Sequence, residues 1–318
     1  MPNQVLAVSG PELDEHTCAA LAERGIDVRY VDVSGRDWSL LDGASFYALG
    51  GAETIREEEA AVLPESVEMV CFLGTGYRDY MDAQALTRRG IVACYTPKAN
   101  AGAVAEFSVA LLLAGLRRLL EGVGNIQAGM WDPLFGRSLS DCTVGIVGFG
   151  AVGERVAGIL HSGFGARPLI WSRSDRRNAI LTAGGEPCSL ERLVKESDAI
   201  LLAAGLAESG EALITKEELD VAKRTICIVN TARAGLIAAD DLVEFLKARP
   251  DASYLSDVYY SEPVDPDHDN WGLLGLPNFY LTPHMAYASK SSFVEMGDML
   301  LANIIAHQDG KDPLYCAI

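Results

Sequence analysis

The 318-residue sequence predicts an α/β protein built from two doubly wound parallel-sheet domains. Three observations carry that prediction. Short β-rich runs alternate with helix-like segments over the whole chain, the pattern of a parallel sheet covered by helices on both faces. The length suits two domains of roughly 100–200 residues each. The alternation also pauses at a long apolar segment after Asn100 and restarts near residue 143.

In the first third the strands read VLAV (5–8), DVRYV (27–31), SFYAL (45–49), MVCFL (69–73) and IVACY (91–95). Helical stretches such as 13–24 and 82–89 lie between them. From Asn100, AGAVAEFSVALLLAGLRRLLEGV predicts one long helix, apolar nearly all round in its middle turns and therefore buried. The second series reads TVGIVG (143–148), PLIWS (168–172), DAILLA (198–203), TICIVN (225–230), SYLSDV (253–258) and NFYLTP (278–283). Six strands with helical crossovers make a full doubly wound domain. A last helical stretch, 289–307, is expected to return to the first third. The expected domains are therefore 1–99 with 289–318, and 100–288.

Net charge is −18 and the isoelectric point about 4.6. An acidic chain disfavours nucleic acid and anionic membranes as partners, since both select a basic face. It also means that a site for an anion must be built locally, so clustered arginines carry information. MPNQVLAVSG has neither the charged start nor the long apolar core of a signal peptide. Val109–Leu116, the most apolar stretch, is too short to span a bilayer. The seven cysteines contain no CxxC pair, and Cys71, Cys94 and Cys227 lie in strand-like runs. That suits a reduced, cytoplasmic setting without a disulfide framework.

TVGIVGFGAVGERVAGIL places Gly148, Gly150 and Gly153 in G-x-G-x-x-G spacing, directly after a buried strand and at the start of a helix. That context reads as the Rossmann phosphate turn, residues Gly148, Phe149, Gly150, Ala151, Val152 and Gly153. Gly148 permits the tight turn, Gly150 the approach of a pyrophosphate, and Gly153 close packing of helix on strand. The helix N-terminus supplies free N–H groups to the anion.

Ser172, 19 residues after Gly153, stands at the end of the second strand, where a carboxylate usually binds the ribose hydroxyls of NAD. Arg173 follows, with Arg176 and Arg177 close by. A 2′-phosphate finds no repelling acid there and several charge-assisted partners. The preferred cofactor is therefore NADP. The rival reading keeps NAD, with Asp175 turned in towards the ribose.

The chain resembles the D-isomer-specific 2-hydroxyacid dehydrogenase family, in its glyoxylate/hydroxypyruvate reductase and phosphoglycerate dehydrogenase branches. The motifs are GTGYRDYMD (74–82), RRGIVACYTPKANAGAVAEFSVALLLA (88–114), VGIVGFGAVG (144–153), VNTARAGLI (229–237), SDVYYSEP (256–263) and LTPHMAYAS (281–289). The resemblance implies a Rossmann domain inserted in a flavodoxin-like substrate domain, and a homodimer. It implies a catalytic Arg233, Glu262 and His284, with Thr231, Ala232 and Asp257 at the cofactor. It also implies that Gly74, Thr75 and Gly76, with Arg233 and His284, hold the substrate. Chemically, a guanidinium fork suits a carboxylate beside a carbonyl. An imidazole has a pKa suited to give a proton to an alkoxide. A glutamate behind it favours the charged form.

The implied reaction is reversible hydride transfer between a nicotinamide cofactor and a small 2-keto acid, giving a D-2-hydroxy acid. Several positions depart from the family pattern. Lys98 stands where Gly is frequent, Ala203 and Gly205 where His and Pro are, and Tyr287 where a small residue is. FYALGGAET (46–54) lacks the arginine of phosphoglycerate-oxidising relatives, which weakens that alternative. Glu262 in place of Gln disfavours a formate dehydrogenase. A non-catalytic dinucleotide-sensing corepressor is the rival from another class. DPDHDN (265–270) reads as a solvated acidic loop, and no metal is expected.

Overall fold

A computed structural model describes residues 3–50, 53–207, 209–265 and 269–317. The chain forms two compact units, Met1–Asn100 with Ala288–Ile318, and Ala101–Tyr287. Each is a doubly wound parallel α/β unit.

The first unit runs β1 (Gln4–Val8), α1 (Glu15–Glu23), β2 (Ile26–Tyr30), β3 (Phe46–Leu49), α2 (Glu57–Val62), β4 (Met69–Phe72), α3 (Ala83–Arg88) and β5 (Val92–Tyr95). Its strands are all parallel in the order β2-β1-β3-β4-β5, the flavodoxin-like arrangement. FYAL and MVCF are buried at every position because helices cover both faces of a central parallel strand. Asp14 starts α1 by accepting the His16 and Thr17 amides.

The last helix of the chain belongs to this unit and packs on α1. A Cβ on its Gly297 would lie 2.3 Å from Thr17 Oγ1, so only glycine permits that approach. After that helix the tail pairs antiparallel with the free edge of β5. Tyr95 N–H donates to Tyr315 O at 3.1 Å and Ala317 N–H to Ala93 O at 2.9 Å. The tail thereby covers an edge that would otherwise expose unpaired backbone groups.

The second unit runs α4 (Ala101–Leu116), α5 (Leu119–Gln127), β6 (Val144–Val147), α6 (Ala151–Phe164), β7 (Leu169–Trp171), α7 (Arg177–Thr182), β8 (Glu186–Pro187), α8 (Leu190–Glu196), β9 (Ala199–Leu202), α9 (Lys216–Val221), β10 (Cys227–Asn230), α10 (Ala239–Ala248), β11 (Ser253–Ser256) and β12 (Phe279–Leu281). The helix Lys290–Gln308, α11, follows and belongs to the first unit. The sheet order is β12-β11-β10-β9-β6-β7-β8. This is the Rossmann order with its reversal of direction at β6 and β9, where ligands bind at the strands' C-terminal ends.

Two expectations are corrected. The sheet has a seventh strand, β8, whose two residues include a proline and give no β-rich run. The long helix from Asn100 is two helices. Arg118 adopts a left-handed conformation (φ 50°) and its guanidinium turns back onto Glu121 at 2.6 and 2.8 Å. The break separates a buried α4 from α5, none of whose residues is buried. No helix among the described residues is long and apolar enough to cross a membrane.

Candidate active site

The phosphate turn follows directly from packing at the β6 edge. Gly148 has φ +107° and donates its N–H to Trp171 O at 2.8 Å. A Cβ there would lie 2.6 Å from Ala204 N, and one on Gly153 would lie 2.1 Å from Gly148 O. Both glycines are demanded by the protein's own backbone. Gly150 differs: a Cβ there would meet nothing within 4 Å. It begins α6 with no side chain capping the helix. Space is therefore left beside Gly150 at the N-terminal, positive end of a four-turn helix. That cradle fits a dinucleotide's pyrophosphate. Phe149 is buried in the apolar core.

Ser172 is half-buried at the end of β7. Arg173, Arg176 and Arg177 are exposed, and none forms an ion pair among the described residues. Arg173 Nη2 donates to Gly205 O at 3.3 Å. Asp175 accepts the Arg177 amide at 3.1 Å, holding the start of α7.

At the C-terminal ends of β10, β11 and β12 the structure brings Arg233, Glu262 and His284 together. Fully buried Asn230 shapes the first turn: its Oδ1 accepts the Ala232 amide at 3.0 Å, and its Nδ2 donates to Arg233 O (2.9 Å) and Tyr254 Oη (2.8 Å). Thr231 Oγ1 lies 2.6 Å from Ser108 Oγ, tying the turn to α4. His284 Nδ1 is 2.6 Å from Glu262 Oε2, and the Tyr259 amide donates to Oε1 at 2.7 Å. A carboxylate only accepts, so the Nδ1 proton lies on the ring and Nε2 is left to act. Nε2 has no hydrogen-bond partner among the described residues.

The electrostatics reinforce the pair. The hydrogen bond to Glu262 raises the His284 pKa above its ordinary value; burial pulls it down, the charges of Glu262 and Asp257 add to the rise, and Arg233 opposes it. Burial would raise Glu262. The bond and charge of His284, the Tyr259 amide and Arg233 outweigh it and hold the carboxyl below its usual range. Tyr287 meets the imidazole edge-on, with centroids 6.1 Å apart.

The resemblance places Asp257 at the cofactor; in the structure its carboxylate is bonded to the turn that carries His284. It is 1% exposed, and its carboxylate points into the protein. Oδ1 accepts Thr282 Oγ1 (2.5 Å) and the Met285 amide (2.9 Å); Oδ2 accepts the Ala286 amide (2.8 Å). Those bonds straddle His284, whose φ of 49° is uncommon for a residue with a Cβ. Asp257 thus fixes the turn that presents the imidazole. No pattern in the sequence marks the bonding of Asn230, Thr282 or the Tyr259 amide: the Asn230–Tyr254 and Thr282–Asp257 bonds need neighbouring strand ends, and the Tyr259–Glu262 bond needs the local turn.

In the first unit, the Gly74–Thr75–Gly76 turn follows β4. Gly74 allows the Phe72 ring to approach, since a Cβ would lie 2.6 Å from it. Its N–H is already donated to Phe72 O at 3.0 Å. The Thr75 and Gly76 amides have no partner among the described residues. Thr75 Oγ1 accepts the Lys98 amide at 3.0 Å and donates to Asn100 Oδ1 at 3.1 Å. Lys98 has φ 65°, which explains why glycine is frequent at that position. Of the acidic loop 265–270, residues 266–268 lie outside the described residues. Asp269 accepts the Trp271 and Leu274 amides at 3.1 and 2.9 Å. No metal-binding cluster occurs among the described residues.

Residues 109–286 match the family model for the D-isomer specific 2-hydroxyacid dehydrogenase, NAD binding domain. The chain belongs to the D-isomer specific 2-hydroxyacid dehydrogenase family. It is 34% identical over 256 residues to a glyoxylate reductase of Aeropyrum pernix, covering 78% of this chain and 75% of that one. It is 35% identical to a glyoxylate reductase of Thermococcus kodakarensis, with the same coverage. A crystal structure of a glyoxylate reductase from Paecilomyes thermophila superposes with a TM-score of 0.80 at 26% identity, covering 100% and 99% of the two chains. As a member of this family the chain is an oxidoreductase with a nicotinamide-dinucleotide domain.

Proposed function

We propose that this member of the family reduces a small 2-keto acid to the D-2-hydroxy acid, reversibly, in the cytoplasm, and prefers NADPH to NADH. The observation that carries the reading is the Glu262–His284 pair beside Arg233 at the ligand-binding edge of the dinucleotide sheet. The glyoxylate reductases among its relatives support a substrate of glyoxylate size.

When bound, the reduced nicotinamide supplies the hydride. The Ala151, Val152 and Gly153 amides would hold its pyrophosphate, and the resemblance gives Thr231 and Ala232 a place at the cofactor. Ser172 and Arg173 would receive the 2′-phosphate. Two features support that assignment: the exposed arginines lack ion pairs among the described residues, and Asp175 is engaged with the Arg177 amide.

Arg233 clamps the substrate carboxylate and polarises the adjacent carbonyl oxygen. His284 Nε2 gives its proton to that oxygen as negative charge develops. Glu262 keeps the imidazolium charged and oriented until then. Asp257 holds the turn. The resemblance also gives the Gly74–Thr75–Gly76 turn of the first unit a part in substrate binding.

Homodimerisation follows the family resemblance, and α5 suits it: Leu119, Val123 and Ile126 are about half exposed, and Trp131 and Phe135 beyond it are 87% and 94% exposed. The test of function is cofactor oxidation with a panel of 2-keto acids. Tight cofactor binding without turnover on any of them would favour a dinucleotide-sensing scaffold.

A further inference from the structure

The first unit carries a row of three thiols that the proposed reaction does not use. Cys71 of β4 and Cys94 of β5 are register partners, and Cys94 also partners Cys316 of the tail. The two backbone bonds of the tail, Tyr95 N–H to Tyr315 O and Ala317 N–H to Ala93 O, flank Cys94 and Cys316 without including them. The pair therefore occupies the non-hydrogen-bonded site of an antiparallel ladder. At such a site the Cα atoms stand about 4.5 Å apart and the side chains are at their closest. A disulfide asks for Cα atoms roughly 4.4–6.8 Å apart and Cβ atoms about 3.5–4.5 Å apart. Cys71 and Cys94 are separated by the parallel strand spacing of about 4.7–4.9 Å, with both Cβ vectors aimed the same way, which leaves their Cβ atoms too far apart.

The register is locked from several sides. The Tyr315 amide donates to Oδ1 of fully buried Asn303 in α11 at 3.1 Å, and Asn303 Nδ2 approaches Cys71 Sγ at 3.8 Å. Tyr77 Oη, just after the Gly74–Thr75–Gly76 turn, donates to Ala317 O. Access is asymmetric: Cys316 is exposed, while Cys94 is buried.

We propose that Cys94 and Cys316 form a reversible disulfide on exposure to a low-molecular-weight disulfide, clasping the C-terminal tail to the edge of the first unit's sheet. The Cys316 thiolate attacks one sulfur of the reagent, the reagent S–S bond breaks, and one reagent thiolate leaves and takes a proton. Cys94 then attacks Cys316 Sγ, the mixed-disulfide S–S bond breaks, and the Cys94 proton passes to the second reagent thiolate as it leaves. Two protein thiols are oxidised, and one reagent disulfide is reduced to two thiols. Cys94 is buried and out of reach of the reagent while Cys316 is exposed, so the first step falls to Cys316. The second step is intramolecular between groups already held side by side, which favours ring closure over a lasting mixed disulfide. Closure fixes Ala317 against Tyr77.

The full chain is incubated with oxidised glutathione, the remaining thiols are alkylated, and intact mass and peptide maps are recorded. The expected result is loss of two hydrogens per chain, no retained glutathione, and a peptide holding Cys94 joined to one holding Cys316, all reversed by dithiothreitol. The thiol count of the denatured protein falls by two from seven. Cys316→Ser, at an exposed site, loses the crosslink. A lasting glutathione adduct on Cys316, a Cys71–Cys94 link, a link between chains, or no reaction with folded protein would each overturn the proposal.

Discussion

Glu262 Oε2 lies 2.6 Å from His284 Nδ1, while Oε1 of the same carboxylate accepts the Tyr259 amide. The carboxylate is anchored on one side and orients the imidazole on the other. Because His284 is raised, it stays protonated above the ordinary histidine value of about 6.5. In the reduction direction kcat/KM should fall as pH rises through that raised value. Glu262→Gln removes the charge that causes the rise, so the falling limb should move to lower pH. A limb that stays in place would remove Glu262 from the account. The stability signs follow as well. The His284 contribution is lost as pH rises through its raised pKa, and the Glu262 contribution as pH falls through its lowered one.

His284→Ala removes the proton donor but touches no part of the phosphate turn. Turnover should drop by roughly 10²–10⁴ while the dinucleotide still binds. Titrating the cofactor by fluorescence beside the steady-state assay separates the two effects; near-wild-type turnover would contradict the role given to His284.

The cofactor preference should rest on two adjacent residues. Arg173→Ala should lower kcat/KM for NADPH more than for NADH. Ser172→Asp should reverse the preference, because a carboxylate repels a 2′-phosphate and binds free ribose hydroxyls. A wild-type chain that clearly prefers NADH would sink the assignment.

Asp257→Asn should act on both stability and catalysis. An amide in that buried position turns its N–H groups against either the Met285 or the Ala286 amide and leaves that donor without an acceptor, costing about 1–3 kcal/mol. Thermal unfolding should shift down and kcat should fall, with cofactor affinity changed little. Loss of cofactor binding with the fold intact would instead make Asp257 a direct contact.

Much of this architecture can be read from the chain because parallel strands buried on both faces leave continuous apolar runs, and the phosphate turn leaves a glycine pattern. β8 leaves no such trace, since Glu186–Pro187 is a two-residue edge pairing. The break at Arg118 is hidden because LRRLLEGV is compatible with a continuing helix. The change there lies in what each half packs against. At the site, Arg233, Glu262 and His284 are visible as motif positions. The engagement of Asp257 is not: its partners lie 25, 28 and 29 residues further along. They meet only because β11 and β12 are neighbours. The Cys94–Cys316 pairing is hidden for the same reason, as it depends on the register of the tail.

The most direct test is NADPH oxidation, followed at about 340 nm, the reduced nicotinamide band, by wild-type protein with glyoxylate, hydroxypyruvate and bulkier 2-keto acids. The account predicts turnover on at least one of them, a D-2-hydroxy acid as product, and a slower rate with NADH. No turnover on any keto acid, by protein that binds the cofactor tightly, would contradict it.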